Sequence, residues 1–135
     1  MEIKVDFSQF KRFTDKLQKT NEATWDEALR RCGDGITKRC YDLAQKNTPV
    51  DTGRLKHRWR KTRSTRSGDT FVSKVYNDLY YAGWIEFGHR QVAGGRFIRF
   101  IPGRYMLTNA TEQTENEAVE IVDSILGKYL LEVFK

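Results

Sequence analysis

Two apolar stripes with the period of an α-helix place the strongest constraint on how this chain can fold. The first runs through residues 25–44 and the second through residues 118–133. In each stripe apolar side chains recur about every 3.6 residues, which is typical of a helix that buries one face and exposes the other. The pattern predicts one helix over residues 24–47 and a final helix over residues 104–134.

The first stripe also contains Gly33 and Gly35, each of which disfavours a helix by about 1 kcal/mol relative to alanine. We therefore expect close packing or a bend at these glycines. Cys32 and Cys40 lie on the same predicted helix, roughly 12 Å apart along its axis. That distance is too long for a disulfide, and two thiols without a nearby histidine make a poor zinc site. Both cysteines are predicted to be buried free thiols.

Other segments show strand, helix and loop patterns. Residues 1–7 alternate between apolar and polar side chains and predict a short strand, and the stripe over residues 8–19 predicts a short helix. Residues 79–87 hold a dense aromatic cluster, which predicts a core element, either a short helix or a bent strand. The glycine-rich residues 88–95 predict a loop, and residues 97–101 predict a strand.

A β-hairpin is predicted over residues 58–77, with Ser67 and Gly68 as its two-residue turn. In this register Trp59 faces Tyr76, which is a favourable aromatic pair across the strands. The first strand has no other large apolar residue. Most of that strand is therefore expected to face solvent or a partner.

These elements predict a single α+β domain over residues 1–135. It would be an antiparallel sheet with a protruding basic β-hairpin, packed by two N-terminal helices and one long C-terminal helix. No stretch of sequence approaches the ~18–20 apolar residues that span a bilayer, and the alternating N-terminus does not resemble a signal peptide. We expect no membrane contact and a protein that stays in the cytoplasm where it is made.

Charge is segregated along the chain. Residues 1–53 carry a net charge of +1, residues 54–104 carry +9, and residues 105–135 carry −4. Seven basic side chains lie close together in the middle segment with no acidic residue between them. They are Arg54, Lys56, Arg58, Arg60, Lys61, Arg63 and Arg66. A basic segment beside an acidic tail indicates a charged partner, either a polyanion or another copy of the chain; a solvated strand that resists aggregation is the alternative.

The sequence offers little for catalysis. His57 lies among basic residues that would repel a metal ion, and no third or fourth ligand stands near Glu86 and His89. Asp69 and Asp78 occupy the positions of a turn residue and a helix cap, whereas a small nuclease would cluster carboxylates around Mg²⁺. We expect a protein that is not an enzyme and that uses no metal or cofactor.

Three short motifs resemble the signatures of a family of long-tailed bacteriophage proteins, the tail-completion or head–tail joining proteins. The motifs are TPVDTGRL at residues 48–55, YAGWIEFG at residues 81–88 and PGRYML at residues 102–107. The order of the predicted elements is similar too, so the resemblance covers nearly the whole chain. The residues to which it assigns structural roles are Pro49, Asp51, Thr52, Gly53, Leu55, Tyr81, Ala82, Trp84, Glu86, Phe87, Gly88, Pro102 and Gly103.

Physical chemistry suggests what several residues of the first motif do. Pro49 would end the preceding helix, because it cannot donate a helical hydrogen bond. Gly53 would allow a tight turn. Asp51 or Thr52 would cap the short helical turn that follows.

Glu86 of the second motif stands between apolar residues and is expected to be partly buried. A buried carboxylate needs a partner, and Arg54 or Arg104 is the expected one. The residue immediately after the second motif departs from the family pattern, because His89 stands where the family often has threonine or another small polar residue.

The resemblance implies a non-enzymatic structural protein of the virion, assembled in the host cytoplasm and located in the tail or neck. Such proteins form a homo-oligomeric ring, commonly hexameric, between the head connector and the tail-tube or terminator proteins. Genomic DNA passes through that ring. Prophages and tail-like particles contain the same family. The alternative function is a small nucleic-acid-binding module that uses the arginine-rich hairpin on phosphate backbones.

The residues predicted to contact a neighbouring subunit or DNA are Arg58, Arg60, Lys61, Arg63, Arg66, Arg96 and Arg99. At a subunit interface, the arginines of the hairpin would reach acidic residues of the last helix in the next copy. Those acidic residues are Glu112, Glu115, Glu117 and Glu120. If the ring channel were lined by these arginines, the arginines would touch DNA instead. Many phosphate contacts would, however, slow DNA that must slide through the channel.

Overall fold

The computed structural model describes residues 2–6, 22–51 and 53–133. The helices there are α1 (Glu22–Asn47), α2 (Ala82–Phe87) and α3 (Met106–Val133), and Lys56–Arg58 form one 3₁₀ turn. The strands are β1 (Glu2–Asp6), β2 (Trp59–Lys61), β3 (Thr65–Ser67), β4 (Thr70–Asn77), β5 (Gly88–Ala93) and β6 (Arg96–Pro102). The predicted α+β class is confirmed. The helix predicted over residues 8–19 lies outside the described residues.

The strands pair in antiparallel fashion throughout the described residues. β4 pairs with β1 along one edge and with both β2 and β3 along the other. β5 and β6 pair with each other and form a separate two-stranded hairpin. The basic strands β2 and β3 therefore lie beside a central strand, whereas β5 and β6 have no other strand next to them in the part of the chain that is described.

Helices α1 and α3 pack on each other, and α1 also packs on β4. Every apolar residue of the predicted α1 stripe is buried. These residues are Trp25, Ala28, Leu29, Cys32, Ile36, Cys40, Leu43 and Ala44. Helix α3 adds the buried Val122 and Tyr129, with Ile121 and Ile125 partly buried against the same core. Both long helices are confirmed, and each begins within two residues of its predicted start.

The predictions for the glycines and cysteines of α1 are confirmed. A Cβ atom added to Gly33 would collide with Ser64 Oγ, and one added to Gly35 would collide with Ile125 Cδ1. Cys32 and Cys40 are buried and not disulfide-bonded. Burial raises the pKa of the Cys32 thiol to about 12. The glycines thus let two other elements approach the helix closely.

The register of the basic hairpin differs from the prediction. Trp59 pairs with Asn77 rather than with Tyr76, and the two turn residues are Gly68 and Asp69. Gly68 has a φ of +63°, as the first central residue of a type II′ turn requires. The position of that glycine sets the turn one residue later than predicted, and the aromatic pair across the strands is not formed.

The first strand of this hairpin is interrupted because Ser64 turns toward α1. Ser64 is buried beside Gly33, and its backbone N–H donates to Asp34 Oδ1 at 2.7 Å. The pairing with β4 shifts by one residue across the interruption. One predicted strand is therefore divided into β2 and β3.

The glycine-rich residues 88–95 form a strand and a turn rather than the predicted loop. β5 ends at Ala93, and only Gly94 and Gly95 form the turn. These two glycines have φ angles of +59° and +76°, which matches a type I′ hairpin turn. Of the glycines that suggested a loop, Gly88 begins β5, and Gly94 and Gly95 form the turn between β5 and β6. The strand predicted over residues 97–101 is confirmed by β6.

Candidate assembly surfaces

The second and third motifs meet at the start of α3. Glu86 is 6% exposed, and its carboxylate accepts hydrogen bonds from the backbone N–H groups of Leu107 (2.9 Å) and Thr108 (2.7 Å). The Thr108 hydroxyl donates to the same carboxylate at 2.7 Å. Amides in the first turn of a helix have no intrahelical acceptor, and this end of a helix favours negative charge. Burial of Glu86 is confirmed, and the donors that the structure shows for its carboxylate are the helix amides and the Thr108 hydroxyl, where the sequence suggested Arg54 or Arg104.

Two glycines bring the backbones of these motifs into direct contact. Gly88 has a φ of +89°, and a Cβ atom there would lie 2.6 Å from the carbonyl oxygen of Ile101. A Cβ atom on Gly103 would collide with the carbonyl oxygen of Glu86. The backbone N–H of Tyr105 donates to that same oxygen at 3.0 Å. A side chain at either glycine would separate the hairpin from the start of α3.

The beginning of the first motif fixes the end of α1 against β2. The buried Thr48 hydroxyl donates to the carbonyl oxygen of Ala44 at 2.6 Å and accepts from the Trp59 indole N–H at 2.7 Å. Helix α1 ends at Asn47, two residues before Pro49. The end of the helix therefore lies where the sequence predicts it.

The rest of the first motif forms a turn and a core contact. Gly53 has a φ of +79°, which favours glycine, and Leu55 is buried. Leu55 occupies the N-cap position of the 3₁₀ turn and makes no side-chain cap bond. The prediction that Asp51 caps this turn is wrong, because the turn begins several residues later. Thr52 lies outside the described residues.

We define the basic edge as residues 58–67, which include β2 and β3. Its side chains are exposed except for those of Trp59 and Ser64, which point into the core. The Lys61 ammonium lies 5.3 Å from the centre of the Tyr41 ring on α1. As predicted, most of this segment faces outward.

Acidic side chains from elsewhere in the chain pair with several arginines of the basic edge. Arg58 Nε donates to Asp78 Oδ1 at 2.6 Å, and Arg60 Nε lies 3.6 Å from Asp78 Oδ2. Arg66 donates to Asp26 of α1 at 2.6 Å. These acids lie before and after the basic edge in the sequence, and their two carboxylates compensate part of its positive charge.

We define the arm as residues 88–102, which are the β5–β6 hairpin. The arm contains three arginines and no acidic residue. Arg99 Nε donates to Gln91 Oε1 at 2.8 Å, and the exposed Arg96 forms no ion pair with any residue that the structure describes. Two of the residues predicted to contact a neighbour or DNA, Arg96 and Arg99, therefore lie on a different element from the other five.

One face of the arm, which we call its outer face, is apolar and exposed. Arg90 pairs with Phe100 across the two strands, and Val92 pairs with Phe97 beyond a bulge. The Arg90 guanidinium lies 5.1 Å from the centre of the Phe97 ring. Val92, Phe97 and Phe100 are each more than half exposed. Sequence reasoning missed this surface because the segment before it was assigned to a loop, so no alternation could be followed across the hairpin.

The opposite face of the arm is partly buried against α2. His89 pairs with Ile101 and Gln91 pairs with Arg99 on this side. The His89 ring lies 6.3 Å from the Trp84 ring of α2. The more polar face of the arm is therefore the one turned toward the rest of the chain.

The aromatic residues before the arm lie in α2 and in the turn that precedes it, and three of them are not part of the core. Tyr80, Trp84 and Phe87 are 80%, 57% and 60% exposed, respectively. The rings of Tyr80 and Trp84 meet edge to face at 6.2 Å. The predicted helix is confirmed, whereas burial of the whole cluster is wrong, because so short a helix turns only one side, with Ile85 and Glu86, toward the core.

A second exposed surface lies on the solvent side of α3. Glu112, Glu115, Val119 and Asp123 share one face of the helix by its 3.6-residue period, and Glu120 flanks them. Val119 is 64% exposed. None of the four carboxylates forms an ion pair within the described ranges. We call these five residues the acidic face.

Glu117 of α3 points the other way, toward α1. Its carboxylate accepts two hydrogen bonds from the Arg39 guanidinium, at 2.8 and 3.1 Å. This contact with Arg39 holds the pKa of Glu117 below its ordinary value. Among the four glutamates predicted to meet the basic edge of a neighbour, Glu117 is thus engaged within its own chain.

Two findings concern metals and membranes. Within the described ranges, no three His, Cys, Asp or Glu side chains gather as a metal site would require. No helix in the same ranges is both long enough and apolar enough to cross a membrane.

The model of the HK97-gp10-like family of bacteriophage tail components matches residues 9–88 of this chain. The match spans more than half of the sequence and includes the first two motifs. The protein is a structural component of a phage tail, and specifically the chain belongs to the HK97-gp10-like family. No curated protein and no solved structure matches it.

The matched segment contains the basic edge but ends where the arm begins. The outer face of the arm and the acidic face of α3 both lie beyond it.

Proposed function

We propose that this tail component acts in tail completion and head–tail joining, and that it does so by assembling with copies of itself into a ring. Its role would be structural rather than catalytic. Membership of a tail-component family supports the general role. The observation that supports self-assembly is the presence of two exposed surfaces of different chemistry on one chain, the basic and apolar arm and the acidic face of α3.

Two different surfaces suit a ring because a head-to-tail contact uses one surface on each side of every subunit. If the rotation between neighbours closes, the assembly is a ring, and the family resemblance suggests six copies. The ring would lie in the neck of a phage, prophage or tail-like particle. It would connect the head connector with the tail-tube or terminator proteins and let genomic DNA pass.

The experiment has one part in solution and one part in the particle. Analytical ultracentrifugation of the purified chain should show one discrete oligomer whose population increases with protein concentration. Electron microscopy of lysates that lack the protein should show separate filled heads and tails, and expression of the wild-type chain should restore joined particles. Joined particles in the absence of the protein would contradict a role in head–tail joining.

The alternative function, a nucleic-acid-binding module, has a weaker basis in the structure. Arg58, Arg60 and Arg66 of the basic edge have carboxylate partners within the chain, which lowers the charge available to phosphates. A DNA-binding module would bind an oligonucleotide as a monomer, with an affinity that falls steeply as salt increases. We expect instead that sizing in the presence of DNA gives the same oligomer as sizing without it.

A further inference from the structure

We infer that the outer face of the arm binds the acidic face of α3 in a second copy of this chain. The inference depends on the proposed ring assembly and names the two surfaces that would form its subunit contact. It assigns the contact to the arm rather than to the basic edge.

The arm has the reverse of the usual arrangement for a surface hairpin. A hairpin that covers a core normally turns its apolar side inward and its polar side to solvent. Here Val92, Phe97, Ile98 and Phe100 are 56%, 55%, 54% and 56% exposed, while Gln91 lies on the partly buried side. A contiguous apolar surface framed by charged residues is typical of a protein contact site.

Charge complementarity favours a second copy of the chain as the occupant. On the outer face Arg90 lies beside the apolar side chains, the exposed Arg96 lies next to the Gly94–Gly95 turn at the tip, and the arm contains no acidic residue. The acidic face carries four carboxylates without an ion-pair partner in the described part of the chain, and Val119 lies among them. The two surfaces therefore match in sign, and each contains an apolar centre that can be desolvated on contact.

The basic edge fits the acidic face less well. Arg58, Arg60 and Arg66 are held by Asp78 and Asp26 of the same chain, so a contact of these arginines with a neighbour would first have to break those pairs. It also has no exposed aromatic side chain, because its only large apolar residue, Trp59, is buried. Charge alone would steer two copies toward each other but add little affinity at an exposed site.

The test uses two charge-reversed chains. The arm variant carries R90E on the outer face and R96E at the tip, and the helix variant carries E112K and E115K. Each variant alone places like charges in the proposed contact and should associate at least about tenfold more weakly than the wild type. A matched control carries K61E and R63E, which reverse two charges on the basic edge, and it should assemble as the wild type does.

Mixing the two variants gives the sharpest result. The arm of the helix variant retains its arginines and meets the unchanged acidic face of the arm variant. The reversed arm of the arm variant meets the reversed helix of the other chain. Both contacts in the mixture are thus complementary, so an equimolar mixture should form an alternating oligomer, detected by native mass spectrometry, although neither chain does so alone.

The possible outcomes separate this inference from the proposed function. If the wild type and both variants assemble equally well, the assignment to the arm is wrong while ring assembly stands. If only the K61E/R63E control fails, the basic edge is the contact. If the two variants fail singly and the mixture also fails, the two surfaces are not partners. A wild-type chain that remains monomeric at all concentrations would overturn ring assembly itself. At a concentration low enough that all three chains are monomeric, thermal denaturation should show the same midpoint for both variants and the wild type.

Discussion

The basic edge and the arm are both antiparallel strand segments at the surface, yet they use charge and apolar side chains in opposite ways. In the basic edge the aromatic residue Trp59 is buried, and Arg58 and Arg66 pair with acids of the same chain. In the arm Phe97 and Phe100 face outward. The comparison shows that a dense run of basic residues is weak evidence for a binding surface when the rest of the chain can supply its partners.

The difference arises from sequence distance. The carboxylates that meet Arg58 and Arg66 are 20 and 40 residues away in the sequence. A count of charges within the segment cannot include them. The exposed aromatic residues of the arm become visible as a surface only once the strand pairing places them on one face.

The largest difference between the two regions should appear in stability. Trp59→Ala removes a side chain that is 2% exposed and the indole N–H that donates to Thr48. We expect it to lower the free energy of unfolding by about 3–5 kcal/mol. Phe97→Ala changes a residue that is 55% exposed and should lower it by less than about 1 kcal/mol. Urea denaturation of the two variants measures both values.

The same pair of variants can contradict the comparison. An equal loss of stability for both would mean that the outer face of the arm is packed against the rest of the chain. A small loss for Trp59→Ala would mean that the basic edge is not held to the core by this residue. The division into a core-anchored edge and an outward-facing arm requires the two values to differ by several-fold.

An intermediate effect is expected at the joint that holds the arm to the body of the protein. Glu86→Ala leaves the first-turn amides of Leu107 and Thr108 without their acceptor. We expect a loss of about 2–3 kcal/mol, measured by thermal denaturation. Glu112→Ala is the matched control, because Glu112 lies on the same helix but is exposed, and it should change stability by less than about 0.5 kcal/mol.

If Glu86→Ala also increases hydrogen exchange in β5 and β6 more than in β4, the carboxylate positions the arm as well as capping α3. Equal increases in all three strands would assign it a global role only. The first result would sharpen the comparison between arm and edge, since among the described residues the hydrogen bonds of this carboxylate go to Leu107 and Thr108 and not to the basic edge.

The sequence was a good guide wherever a buried face leaves a periodic pattern. The stripe from Trp25 to Ala44 predicted α1 together with its buried residues, because a helix that packs on one side repeats its apolar positions. The partner of Glu86 could not be predicted in this way. That partner is a pair of backbone amides, and amides are present at every residue whatever its type.

The arm was missed for a related reason. Gly88, Gly94 and Gly95 suggested a flexible loop, but their actual contributions are a close backbone approach and a tight turn. A residue that lacks a side chain is suited to both uses, so glycine content does not separate a loop from a hairpin. The predicted register of the basic hairpin was wrong for a similar reason. The positive φ angle of Gly68 determines where the turn lies, and the residue pattern of the two strands does not reveal that angle.

The smallest expected effect concerns a carboxylate that is satisfied within the chain, in contrast to those of the acidic face. Arg39 lowers the pKa of Glu117, so the folded state favours the charged form of this group more than the unfolded state does. A group whose pKa is lowered on folding stabilises the protein above its unfolded pKa, about 4.3 for glutamate, and this contribution is lost as the pH falls through the folded pKa. Glu117→Gln should therefore lower the melting temperature slightly at pH 7, and the difference from the wild type should disappear in stronger acid.

Glu115→Gln, on the acidic face, should leave the melting temperature of the monomer unchanged and weaken only its assembly. A variant of Glu117 that weakened assembly without affecting the melting temperature would place Glu117 among the outward-facing charges and remove the distinction between the two sides of α3.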